Sequence, residues 1–291
     1  MFKGAITALV TPFKNGQVDE KALRELIEFQ ILGGIDGLVP CGTTGESPTL
    51  THDEHDRVIE ITIDAARKRV PVIAGTGSNS TAEALRLTKH AYEAGADGAL
   101  IACPYYNKPT QEGLYQHFQM IAHNVPIPII PYNIPGRTGV NMSPELIARL
   151  AKINNIVGVK EASGSLKQMN DVLDLCGSDF DVLSGDDGLT LPLMAIGGRG
   201  IISVASNIVP ADMAALVDTV EEGNLANARA LHHKMSPLFD ILFVETNPIP
   251  VKAALSLMGK IEYEYRLPLC KMAPANYDKL KKVMGNYGLI S

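Results

Sequence analysis

Cysteine is scarce in this chain. Its four residues, Cys41, Cys103, Cys176 and Cys270, lie far apart and include no Cys-x-x-Cys pair. That spacing offers neither a disulfide framework nor a zinc site, and it fits reduced thiols in a cytoplasmic protein. Runs of lysine or arginine are also missing. With a net charge of −6 and a pI near 5.7, the chain lacks the basic patch of a nucleic-acid binder. No apolar stretch is long enough to span a bilayer. The N-terminus runs directly into a strand pattern, so no targeting segment is expected. Low-complexity tracts are absent too. Among seven histidines, His52 and His55 are spaced i, i+3 at a helix start, but no third ligand is evident, so no metal is expected. His232-His233 reads as surface. These absences leave a soluble intracellular protein, and 46% hydrophobic against 20% charged residues suits a sizeable core.

What is present is a rhythm. Apolar strand patterns recur at Gly4–Leu9, Gly37–Val39, Val72–Gly75, Gly98–Ile101, Ile129–Tyr132, Ile156–Lys160, Asp181–Ser184 and Gly200–Ser203, each followed by a helical pattern. Eight such units are what a closed (β/α)8 TIM barrel requires; a doubly wound open sheet is the alternative. Thr51…Glu54 and Ser80…Glu83 both fit capping boxes, and Ser143-Pro144 puts a cap before a first-turn proline. Gly33-Gly34 and Gly95 stand where helices end in a left-handed residue. After the eighth unit the pattern turns helical across Leu225–Phe243, Pro248–Met258 and Ala273–Gly285. The expected organisation is a catalytic barrel over 1–223 and a C-terminal helical appendage over 224–291.

The stretch Ile156–Ser163 is where chemistry is most expected. Strand alternation puts Ile156, Gly158 and Lys160 on one face. In a parallel barrel Lys160 then projects inward at the C-terminal rim, where such barrels carry their activity. Gly158 below it should leave room for the aliphatic stem. At the reference pKa of about 10.4, roughly one amine in 2,500 is uncharged at pH 7. A dry pocket lowers that pKa and frees the amine to attack ketones. The plainer reading is a rim lysine paired with Glu161 or Asp186.

Other rims carry further candidates. Cys41–Ser47 has two glycines and two threonines that can converge on a small carboxylate; it lacks the lysine and spacing of a P-loop. It could also be an ordinary turn. Tyr105-Tyr106 could be loop packing or hydroxyl donors. Tyr132 ends the strand before that of Lys160, in an equivalent rim position. Arg137 could fork onto a substrate carboxylate or make a structural ion pair.

Together GAITALVTPF (4–13), GTTGES (42–47), PYYNKP (104–109), YNIPGRTG (132–139), GVKEASG (158–164), LSGDD (183–187) and NPIPVKAAL (247–255) resemble the dihydrodipicolinate synthase family of pyruvate-dependent class I aldolases, in family order and over essentially the whole chain. The resemblance implies a (β/α)8 barrel with C-terminal helices, usually a homotetramer built as a dimer of tight dimers. It implies condensation of pyruvate with L-aspartate-4-semialdehyde in the diaminopimelate route to lysine, without metal or organic cofactor. By motif match Lys160 forms the Schiff base and Tyr132 moves the proton, through a relay of Thr43 and a Tyr106 reaching in from the partner subunit. Thr44 matches the pyruvate-carboxylate contact and Arg137 the semialdehyde-carboxylate contact. Gly185 and Ile202 match positions whose backbone lines the pocket.

Lysine-sensitive members bind that inhibitor at the tight-dimer interface, and the matching positions here are Ser47, His52, His55, Asn79, Glu83 and Tyr105. Against this, His52 can be a surface residue of the first helical turn, and Glu83 can simply close a capping box with Ser80. Pro48 stands where relatives often carry alanine. Other members of the superfamily, N-acetylneuraminate lyase or keto-deoxy-sugar-acid aldolases, share the lysine and tyrosine; Arg137 and the tyrosine pair favour the synthase. A non-catalytic metabolite sensor would have no need of a nucleophile and relay.

Overall fold

In the computed structural model, which describes residues 1–290, ten strands form. They are β1 (Gly4–Ala8), β2 (Phe13–Lys14), β3 (Gln17–Val18), β4 (Gly37–Val39), β5 (Ile73–Gly75), β6 (Gly98–Ala102), β7 (Ile129–Asn133), β8 (Gly158–Glu161), β9 (Asp181–Ser184) and β10 (Gly200–Ser203). β2 and β3 make a small antiparallel hairpin. The other eight are parallel, in the order β4-β1-β10-β9-β8-β7-β6-β5. The two ends of that order meet: Leu38 bridges Val72, Leu38 N–H donates to the Pro71 carbonyl at 3.0 Å, and Gly75 N–H donates to that of Pro40 at 2.9 Å. A sheet joined end to end in this way is a (β/α)8 barrel.

Alternation along each strand builds two apolar layers. Ile6, Val39, Ile73, Leu100, Ile130, Leu183 and Ile202 fill the interior, with Phe2 plugging the base. Outward residues such as Ile101, Ile129, Val159 and Val182 pack under helices Gln111–Asn124, Pro144–Leu150 and Leu166–Cys176. Beyond β10, helices Pro210–Glu221, Leu225–Ile241, Ile249–Leu257 and Pro274–Tyr287 share one apolar core with Ala5 of β1 and Ile201 of β10.

Most helix signals read from sequence are present. Thr51 and Glu54 form a reciprocal capping box, and Ser143 caps the amide of Leu146. The Gly33-Gly34 pair ends its helix, with Gly33 at φ −76° and the left-handed turn at Gly34, φ +81°. Two local readings need correction. Ser80 makes no capping bond, because Glu83 is taken by the Ser78 hydroxyl and by His52. His232 is half-buried, its ring 5.9 Å from that of Phe239, while His233 alone is exposed.

Candidate active site

The register that closes the barrel also sets the site. Tyr132 on β7 pairs directly with Lys160 on β8, and Asn133 pairs with Glu161. Since Cβ atoms alternate, the first pair faces the barrel mouth and the second faces outward. Asn133 Nδ2 donates to Glu161 at 2.9 Å, and that carboxylate also accepts from the Ser163 amide at 2.7 Å and from Gln168 Nε2 at 3.2 Å. This clasp locks the two strand ends and leaves the inward pair in register.

Lys160 is 5% exposed, and its Nζ lies 4.3 Å from the centre of the Tyr132 ring. The carboxylates that might have paired with it are occupied: Glu161 by the clasp, Asp186 by the Gly188 amide at 2.9 Å. Burial pulls the Lys160 pKa down to about 7; the charge of Asp187 opposes that fall and Arg137 adds to it. Asp187 is itself held by the Ser203 hydroxyl and by the amides of Val204 and Ala205, so it acts at a distance. Near neutral pH about half of such an amine is free to attack a carbonyl carbon. Burial raises the pKa of the Tyr132 phenol, an effect that Arg137 opposes and Glu161 reinforces, with hydrogen bonding from Thr43 a smaller opposing influence.

Room for the lysine comes from a different glycine than the strand pattern implied. A Cβ on Gly158 would lie 2.4 Å from the Asp181 carbonyl oxygen, so Gly158 answers to the neighbouring strand. On Gly185 a Cβ would lie 3.0 Å from Lys160 Cε and 2.6 Å from the Ala162 Cβ. Gly185 is what clears space for the stem.

A chamber of about 40 Å³ brings Lys160, Tyr132, Thr43, Thr44, Arg137 and Gly185 together. Ile202 is not on its wall; that side chain is fully buried in the barrel interior, and Val204 lines the chamber instead. Sequence reasoning also passed over Asn247 and Phe243 at the chamber wall and Asp187 behind it. Asn247 stands in a motif that was legible as a string but suggested no polar role. Its Nδ2 donates to Thr44 Oγ1 at 3.0 Å, and its carbonyl accepts from Arg137 Nη2 at 3.0 Å. Arg137 is exposed at the mouth, makes that contact instead of an ion pair, and keeps its remaining donors for an incoming anion.

A wider cavity of about 350 Å³ shares Thr43, Tyr132 and Arg137 with this chamber and runs on to Ser47, His52, His55, Glu83 and Tyr105. His52 Nε2 contacts Glu83 at 2.9 Å. The Ser78 hydroxyl and His52 hold the Glu83 carboxyl below its usual range. His55 is buried with Nε2 2.9 Å from the Gly75 carbonyl, and burial lowers its pKa to about 4, so it donates there as a neutral ring. His52 and His55 therefore point to different partners. Asn79 is outside this wall; its carbonyl accepts from Asn107 Nδ2 at 2.8 Å.

Tyr106 stands apart. It lines neither cavity, is 88% exposed, and sits on left-handed backbone at φ +71°. A bulky residue in that region is unusual and marks a constrained loop tip. It is therefore not part of the chamber that holds the Lys160 of its own chain.

Among the described residues no cluster of three or more His, Cys, Asp or Glu side chains is placed to hold a metal, and no helix is long and apolar enough to cross a membrane. Comparison with known proteins agrees with the geometry. The chain is 72% identical over 290 residues, spanning all of both chains, to the 4-hydroxy-tetrahydrodipicolinate synthase of Syntrophus aciditrophicus. The crystal structure of dihydrodipicolinate synthase from Aquifex aeolicus superposes with a TM-score of 0.98 at 52% identity, covering 99% of each chain. That of the enzyme from Cyanidioschyzon merolae with lysine bound does so at 0.97 and 43%, again covering 99% of each. The profile of the Dihydrodipicolinate synthetase family matches residues 1–286, and with its barrel and unpaired rim lysine the chain belongs to that family.

Proposed function

We propose that this chain condenses pyruvate with L-aspartate-4-semialdehyde, as a lyase-type synthase of the diaminopimelate route to lysine, in the cytoplasm. The observation that carries the reading is the buried, unpaired Lys160 beside Tyr132, with its pKa brought to about 7. The Lys160 amine attacks the keto carbon of pyruvate, and loss of water gives a protonated imine. That cation is the electron sink: a methyl proton leaves and an enamine forms, without any added cofactor. The enamine carbon adds to the aldehyde of the second substrate, and its amine then attacks the imine carbon, closing the ring and releasing Lys160.

Each proton movement needs a group within reach. Tyr132 faces the imine position, but its raised pKa makes it a weak acid alone, so a relay suits it. Thr43 is one member. The exposed Tyr106 supports a second, the partner subunit's Tyr106 reaching this chain's Thr43 across a tight dimer. Thr44, in contact with Asn247, receives the pyruvate carboxylate, and Arg137 at the mouth receives that of the semialdehyde. Gly185 gives backbone room, and Ile202 supports the wall from below.

L-lysine is read as a feedback inhibitor bound along Ser47, His52, His55, Glu83 and Tyr105, with Asn79 approaching from the dimer side. Glu83 takes the ligand's ammonium, in place of its present bond to His52. The assembly is a homotetramer of two tight dimers. An assay of the wild type with pyruvate and aspartate semialdehyde, run beside N-acetylmannosamine and short sugar aldehydes, tests the activity. Turnover with the semialdehyde alone is expected; preference for a sugar aldehyde would overturn the assignment.

A further inference from the structure

A second buried lysine lies at the same barrel mouth, and the mechanism above does not use it. Lys252, on helix Ile249–Leu257, is fully buried, and its ammonium pairs with the carboxylate of Glu46, itself 2% exposed. The Lys252 Nζ also lies 4.2 Å from the centre of the Phe13 ring and 5.2 Å from that of Tyr265. Glu46 ends the loop that carries Thr43 and Thr44.

That loop is strained at both ends. Cys41 and Glu46 take left-handed backbone at φ +55° and +53°. Between them Gly45 is crowded, since a Cβ there would lie 3.1 Å from the Cys41 nitrogen. Non-glycine residues hold such conformations only where the surroundings over-determine them. The restraints here come from three directions. Thr11 Oγ1 donates to the Gly45 carbonyl at 2.7 Å, the Arg266 amide donates to Glu46 at 3.3 Å, and Asn247 Nδ2 donates to Thr44 Oγ1 at 3.0 Å. The Lys252 ammonium fixes the other Glu46 oxygen. Three of these partners, Asn247, Lys252 and Arg266, belong to one C-terminal segment.

A fully buried ion pair is a poor way to gain stability, because desolvation of both charges consumes much of their attraction. Its strength is directional. We propose that the Lys252–Glu46 pair is a positioning device for the reaction. By pinning Glu46 it holds Thr43 at the Tyr132 phenol and Thr44 at the site of the pyruvate carboxylate. This inference rests on the functional reading above.

The variants Lys252→Met, Glu46→Gln and the double variant are compared with wild type and with Leu280→Ala, which opens a cavity in the apolar C-terminal core without removing any of the polar restraints on the loop. All are measured well below their melting temperatures, for kcat, pyruvate KM and borohydride-trapped pyruvate on Lys160. Both single variants are expected to lose about 10- to 100-fold in kcat/KM, the scale of a displacement near 1 Å. The loss should be split between a raised pyruvate KM (Thr44) and a lowered kcat (Thr43), with Lys160 still trappable at saturating pyruvate. Because the pair acts as one unit, the double variant should lose no more than the worse single. Leu280→Ala should keep wild-type constants. If Lys252→Met does not fold, Glu46→Gln, which preserves shape and hydrogen bonding, decides the matter. Folded variants with wild-type constants, or losses that merely track the unfolded fraction, would overturn the proposal. Wild-type protein that traps no pyruvate at all would instead refute the functional reading.

Discussion

Two lysines are buried at one end of this barrel, and they illustrate opposite solutions to the same physical problem. Lys160 is 5% exposed and Lys252 fully buried, so both ammonium groups have lost most of their hydration. Around Lys252 the chain supplies Glu46 and aromatic rings, and Glu46 opposes the fall that burial imposes on its pKa. Around Lys160 the carboxylates are turned away: Glu161 faces the outer clasp, Asp186 caps a turn, and Asp187 is held by Ser203 and two amides. The result is a pKa of about 7 at Lys160, a penalty of roughly 5 kcal/mol on its charged form. Burial alone does not make a nucleophile; burial with every local carboxylate otherwise engaged does.

The largest expected effects separate the two sites most cleanly. Lys160→Met should lower turnover by about 10⁴-fold or more, as loss of a covalent nucleophile does. Its melting temperature should hold or rise, since an unpaired buried amine is removed. Lys252→Met should do the reverse to stability. It strands the Glu46 carboxylate, at a cost of about 3–5 kcal/mol, visible as a melting temperature lower by several degrees in calorimetry. Equal stability losses at the two positions would break the comparison.

Next comes the relay. Tyr106→Phe should lower kcat about 10²- to 10⁴-fold. Mixing Tyr106→Phe with Lys160→Ala protein should restore activity, because one site in each hybrid dimer then holds an intact Lys160 and an intact partner's Tyr106. Hybrids that form without regaining activity would show that the relay lies within one chain.

Reading the sequence reached the barrel and its central pair through short-range signals. Eight apolar runs end within two residues of the observed strands, and alternation alone turns Lys160 and Tyr132 to one face. What it missed depends on distant chain. Lys252 and Glu46 are 206 residues apart, and Asn247 and Thr44 are 203, so no spacing rule connects them. The role of Gly158 is hidden in the same way, because its constraint is Asp181 on the adjacent strand. Glu83 looked like a helix cap because Ser80 stands at the right spacing. The fold instead offers Ser78 and His52, and the carboxylate takes both.

That Glu83 contact frames a smaller test. Glu83→Ala should keep most of its turnover and lose inhibition by millimolar L-lysine, with no lysine heat in calorimetry. Retained inhibition would move the inhibitor elsewhere along the cavity.

The remaining tests lie in the pH dependence of stability. Between pH 7 and 10 the unfolded chain keeps a proton on Lys160 that the folded chain has released, so wild-type stability rises with pH there relative to Lys160→Met. At the acid side, burial lowers the His117 pKa to about 4. As pH falls from about 6.5 to 4 the unfolded ring takes up a proton that the folded ring refuses, and stability drops. His117→Gln should lessen that drop in denaturant titrations at pH 4.5 and 7.

The most direct measurement is the rate of borohydride trapping by pyruvate, mapped by peptide mass spectrometry across pH 5.5–9. A single reduced adduct on Lys160 is predicted, forming about tenfold faster per pH unit at the acid end and levelling off above pH 7. Lys252 should remain unmodified throughout. An adduct on another lysine, or a rate at Lys160 still climbing toward pH 9, would contradict the account.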